Sequence, residues 1–194
     1  MIMFRNLFST PAASAASLLA LALFAVTPAC SEAESNKDDG KGDSAAASPL
    51  AAAVLKTDPG EALTVLAAKE AGAGKGIVVH GRVQDITDGF AMFKLIDKSL
   101  DYCGEINKED KCGTPWDYCC DAPEEIIRTT LLVELRDDKG MPHEVDALPN
   151  TRLLDHVKVT GDMIKDEHGN LVLLAKGMFR VERPTLGDHV TWPE

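Results

Sequence analysis

The chain has 194 residues, 31 Asp plus Glu against 20 Lys plus Arg, and a formal charge of −11. That balance repels nucleic-acid phosphates and anionic lipid headgroups, so a nucleic-acid partner is not expected. Its aromatic content is low, and four of its five cysteines fall within one segment, Tyr102 to Cys120.

Residues 1–29 read as an export signal. Arg5 is their only charge, and the apolar run Ser17 to Val26 follows it. A run of about ten apolar residues is too short for a bilayer that needs roughly 20. The segment ends Thr27-Pro28-Ala29-Cys30, which resembles the lipobox of bacterial lipoproteins, with Thr27 where that box usually carries Leu. The resemblance implies cleavage before Cys30 and a lipid on its sulfur, making the membrane a partner and the chain an anchored, extracytoplasmic protein. The alternative is an ordinary cleaved signal that leaves Cys30 as an odd thiol.

Residues 30–56 are mostly Ser, Ala, Asp, Glu, Lys and Gly, and cannot bury enough surface to offset their ordering entropy. They are expected to be a flexible tether. The folded domain is expected over 57–185, followed by a tail over 186–194 that holds Trp192.

Asp58-Pro59-Gly60-Glu61 offers a cap, a proline suited to the first helical position and an acid, so a short helix is expected from there to Ala71. Gly72 to Gly76 stops it. A first strand follows over Ile77–Val83, where Gly81 invites a bulge or sharp coil. Thr87-Asp88-Gly89 turns the chain into a second strand, Phe90–Ile96. Past the cysteines, Thr130–Arg136 alternates as a half-buried strand should. A brief strand is expected near His143–Val145, then longer ones over His156–Met163 and Leu171–Val181, joined by a turn at Asp166–Asn170.

Five main strands with internal glycines, led by a helix, predict an all-β chain. The phrases Gly76-Ile77-Val78-Val79-His80-Gly81-Arg82-Val83 and Phe93-Lys94-Leu95-Ile96-Asp97 look like the first two strands of the OB-fold. The resemblance covers roughly residues 61–182 and implies a five-stranded OB-like antiparallel barrel with a cysteine-rich insertion between strands 2 and 3. Pro115-Trp116-Asp117-Tyr118-Cys119-Cys120 resembles the insertion of exported bacterial OB-like lipoproteins that have no assigned activity. OB barrels host oligonucleotide, saccharide and heme-handling proteins alike, so the likeness implies a fold and no single ligand.

Two readings of Cys103, Cys112, Cys119 and Cys120 stand side by side. In an exported chain the first is a disulfide framework. A bond between the neighbours Cys119 and Cys120 would be strained, which leaves Cys103–Cys119 with Cys112–Cys120, or the reverse. The second is a thiolate site for zinc or copper(I). The C-x8-C-x6-C-C spacing lacks both the C-x-x-C knuckle of zinc sites and the C-x-x-C of thiol-exchange enzymes.

His80, His143, His156, His168 and His189 are scattered. No serine sits in a Gly-x-Ser-x-Gly elbow, and no glycine-rich phosphate loop is present, so an enzyme is not expected. Asp117, Asp121, Glu124 and Glu125 flank the cysteines as a solvated acidic face. The expectation is a membrane-tethered binding or interaction module that needs no cofactor. Tyr102, Trp116 and Tyr118 are its stacking groups, and His80, Arg82 and Lys94 stand beside them on the barrel face. Its alternatives are a thiolate metal-binding protein and, by fold analogy, a nucleic-acid binder.

Overall fold

The computed structural model describes residues 50–107, 109 and 112–186. The expected signal, Cys30, most of the tether and the tail from residue 187 lie outside the described residues.

Six strands form one sheet: β1 (Leu63–Thr64), β2 (Gly74–Ile86), β3 (Met92–Ile96), β4 (Thr130–Glu134), β5 (His156–Lys165) and β6 (Leu171–Glu182). The β1 pair lies parallel along β2, and the other five close on themselves in the order β2-β3-β4-β6-β5 and back to β2. The β4–β6 pair is parallel and the remaining barrel pairs are antiparallel. This is the closed five-stranded arrangement expected of an OB-like barrel.

Alternation explains the closure. In β5, Val157, Val159, Gly161 and Met163 point inward while their neighbours remain partly wet. They meet Val79, Val83, Phe93, Leu95, Leu131, Val133, Leu173 and Met178 in the main core. Gly81 stays in register with Val157, so the bulge expected there is absent. The β2–β3 register shifts instead between Val83 and Asp85. What Gly81 supplies is proximity, since a Cβ there would stand 2.7 Å from the Ile96 carbonyl oxygen and 2.9 Å from Val65.

The leading helix is shorter than expected. Helix α1 spans Val65–Ala71, with Thr64 accepting the Ala67 N–H as its cap, and it buries Val65 and Ala68. Asp58 instead accepts the Gly60 N–H and pairs with Lys158 at 2.7 Å. The folded unit also starts earlier than residue 57. Leu50 is buried in the core, Ala51–Ala53 form a 3-10 turn, and the Leu55 N–H donates to the Met178 carbonyl. Around His143 the expected strand reduces to isolated bridges, Phe90 with Glu144 and Arg136 with Pro142.

Between β3 and β4 the insertion contains two short helices that periodicity did not announce, α2 (Cys103–Ile106) and α3 (Pro123–Thr129). A second apolar cluster seats it on the barrel. Ile96, Tyr102, Tyr118 and Leu154 form its buried centre, and Leu100, Trp116, Ile126 and Leu186 pack around them.

Candidate functional site

Local backbone bonds fold the insertion into a clasp. The Cys103 N–H donates to the Asp117 carbonyl at 2.8 Å and the Gly104 N–H to the Pro115 carbonyl at 2.7 Å. Gly104 suits that approach, because a Cβ would stand 3.0 Å from the Pro115 oxygen, tighter than ordinary van der Waals contact. The clasp brings the first cysteine of the segment onto the last two.

Cys103 is 2% exposed and its Sγ lies 3.4 Å from that of Cys119 and 3.7 Å from that of Cys120; the three sulfurs all lie within 4.8 Å of one another. These separations exceed the ~2.05 Å of a disulfide bond. The expected pair of disulfides is therefore not the arrangement seen. Cys112 is not a member of that trio; its Sγ lies 3.7 Å from the Thr114 hydroxyl. Adjacent cysteines reach one centre here because Cys119 and Cys120 sit in a turn and not in an extended chain.

The thiols burden one another. A hydrogen bond with Cys103, then the charge Cys103 would carry, pushes the Cys119 thiol up to about 12. A metal ion bound there would have to displace that proton. Next in the chain, Asp121 holds its Oδ2 enclosed without a hydrogen-bond partner.

Arg82 reaches the insertion from β2. It is 2% exposed; Nε donates to His156 Nε2 at 3.1 Å, and Nη1 to the Leu100 carbonyl at 3.0 Å and the Tyr118 hydroxyl at 3.3 Å. Nη2 pairs with Glu105 at 2.9 Å, and the guanidinium carbon stands 4.9 Å from the centre of the Tyr102 ring. Arg82, Tyr102 and Tyr118 thus face one another inside the protein, where they brace the insertion and present no open stacking platform. Burial, first of all, pushes the Tyr118 hydroxyl up to about 12, so it stays protonated.

His80 lies in the same strand with its Nε2 enclosed and unpartnered, 6.4 Å from the His156 ring centre to centre. Burial, then Lys98 and His156, hold His80 down at about 4. Of the residues expected on a binding face, Lys94 is exposed and Trp116 is half-buried at the edge of the second apolar cluster. With Gln84, Asp85, Asp117 and Leu153 they line a cleft of about 300 Å³, in which Lys94 is tied to Asp85 at 2.8 Å. Leu153, Gln84 and Asp85 carried no sequence signal for this role, since only the closure of β2 against the Leu153–Leu154 turn places them there.

No known family model matches the chain, and no curated protein matches it. Among solved structures, a protein assigned as an aspartyl-tRNA synthetase from Leishmania major Friedlin aligns over 68% of this chain and 22% of its own, at 11% identity and a TM-score of 0.37. The barrel assignment stands on the strand order and register above. No helix among the described residues is long and apolar enough to cross a membrane.

Proposed function

We propose that this protein is a soft-metal-binding module in which Cys103, Cys119 and Cys120 ligate zinc or copper(I) at the end of an OB-like barrel. The observation that supports it is the sulfur geometry. Zinc–thiolate bonds of about 2.3 Å set sulfurs about 3.8 Å apart in a tetrahedron and about 4.0 Å apart in a trigonal plane. The values of 3.4 and 3.7 Å from Cys103 lie near those edges. Three thiolates leave a tetrahedral ion one open position for water or an incoming ligand, the condition under which metal is exchanged or presented and not merely stored. Anaerobic purification followed by elemental analysis and thiol counting tests this. One equivalent of metal, lost together with protection of three thiols when Cys119 is replaced by Ser, is the expected result. Two disulfides and no metal uptake after reduction would refute it.

A second reading, a binding module with its ligand in the cleft, is favoured by the half-buried Trp116 that lines it beside Lys94 and Asp117. The mixed charges of that cleft suit a small polar ligand better than a nucleic-acid backbone. In either reading the Thr27-Pro28-Ala29-Cys30 sequence supports export and attachment through a lipid on Cys30. A Cys30→Ser chain recovered from the soluble fraction is the expected outcome, and one that still sediments with membranes contradicts the anchor.

A further inference from the structure

The three clustered cysteines each follow on a tyrosine: Tyr102 precedes Cys103, and Tyr118 precedes Cys119 and Cys120. Both tyrosines converge on the same side chain. Tyr118 accepts a hydrogen bond from Arg82, and the Tyr102 ring lies against its guanidinium. The α2 helix that starts with Cys103 is held again through Glu105, and the strand-to-insertion corner through the Leu100 carbonyl. His156 fixes the guanidinium from the opposite side by accepting from Nε. A guanidinium has five N–H donors in a planar fork, and here they are directed to four separate protein groups.

A surface arginine would not have this geometry. Burying a guanidinium is costly unless its donors are met, and all of these acceptors except His156 belong to the insertion or its entry. Arg82 is therefore matched to one placement of the insertion on the barrel. That placement is the one in which Cys103 stands over Cys119 and Cys120.

We propose that Arg82 is the positioning residue of the three-thiol centre, acting through Tyr118 and Tyr102 to set the separation of Cys103 from Cys119 and Cys120. It touches neither metal nor sulfur. This rests on the thiol arrangement used for the proposed function, but it concerns the placement of the sulfurs whether or not an ion is bound. Residues that orient metal ligands from outside the coordination shell change affinity by about 10–100-fold when altered. Arg82 is inferred to do the same from the barrel wall.

The test uses the reduced full chain and two variants. Tyr118→Phe removes one hydroxyl and keeps the ring, so the cluster around Leu154 remains filled. Arg82→Lys keeps the charge and loses the fork. Two readouts separate positioning from folding: the zinc dissociation constant by chelator competition, and the rate at which diamide closes a disulfide between Cys103 and Cys119 or Cys120, mapped by peptide mass. The far-ultraviolet circular dichroism of Tyr118→Phe should match the parent. Both variants should bind zinc at least tenfold more weakly and close the disulfide at least severalfold more slowly. Parental affinity and parental closure rate in Tyr118→Phe would overturn the inference, as would full function in Arg82→Lys, which would show that charge alone suffices. If the parent takes up no zinc but the variants close the disulfide slowly, the metal reading falls and the positioning role stands. If the parent binds zinc and the variants match it in both assays, the positioning role alone falls.

Discussion

Replacing Leu154 with Ala should loosen the insertion before it harms the barrel. Leu154 is fully buried among Ile96, Tyr102 and Tyr118, and its N–H donates to the Val83 carbonyl at 2.7 Å. Loss of a buried leucine side chain costs about 2.7–5 kcal/mol, depending on how far the site collapses. The insertion can settle onto the gap more freely than a closed sheet could, so a loss of about 3 kcal/mol is expected, or roughly 10 °C in melting temperature. The backbone adds a second, sharper expectation. Leu154 has φ of 64°, a left-handed conformation that costs a side chain about 1 kcal/mol and glycine little. Glycine elsewhere loses about 0.5–1 kcal/mol to its freer unfolded chain. The two effects oppose each other here, so Leu154→Gly should match Leu154→Ala within about 0.5 kcal/mol. At Leu153, where φ is negative, the glycine variant should fall about 1 kcal/mol below the alanine one. Urea unfolding measures both gaps, and native-state alkylation of Cys103 reports the opening of the insertion. A loss under about 1 kcal/mol, or a Cys103 that stays protected, would show that this cluster does not seat the insertion.

Two further outcomes follow from the barrel itself. His80 titrates near 4 in the folded protein against 6.5 in the unfolded chain, so only the unfolded chain gains its proton as pH falls from about 6.5 toward 4. The His80 contribution should be lost across that window, by at most about 3 kcal/mol and less because the ring keeps some solvent contact; denaturant midpoints at pH 7 and 5 that coincide would refute this. Gly161→Ala should cost about 1–3 kcal/mol, at the upper end, because its Cβ would run into the Leu174 carbonyl of the paired strand and a backbone cannot swing aside. An unchanged urea midpoint would reveal slack between β5 and β6.

The barrel was readable because its information is local. β-branched alternation marks β2, β4 and β5, and Asp166–Asn170 with the Asp166 side chain accepting from His168 and Asn170 is a turn that needs nothing distant. The start of α1 was misplaced for the opposite reason. Asp58-Pro59 carries a good cap signal, yet Lys158 draws Asp58 away, and Thr64 caps the helix where β1 leaves the edge of β2. Helix α3 does have a local signature in Pro123, Glu124 and Glu125, with Arg128 in its last turn, but the same acids equally suit a solvated face. The thiol centre was half legible. Its residues stood out by type, but they meet where Gly104 packs on Pro115 and where the insertion covers Arg82, and nothing around an arginine in a strand tells whether an insertion 20 residues onward will cover it.

The seam that closes the barrel also governs the order of events when the chain folds. The β2–β3 and β5–β6 hairpins join near neighbours, whereas β2 and β5 meet through residues such as Arg82 and His156, 74 positions apart. Closing so long a loop delays that pairing relative to the hairpins and slows folding into the range of other non-local β proteins. Until the seam forms, Arg82 lacks His156, and the insertion lacks the Leu154 corner that arrives with β5. During that interval Cys103, Cys119 and Cys120 lack the template that gathers their sulfurs. The lifetime of the open barrel, set by topology, therefore determines how long the thiols stand without the arrangement that gathers them.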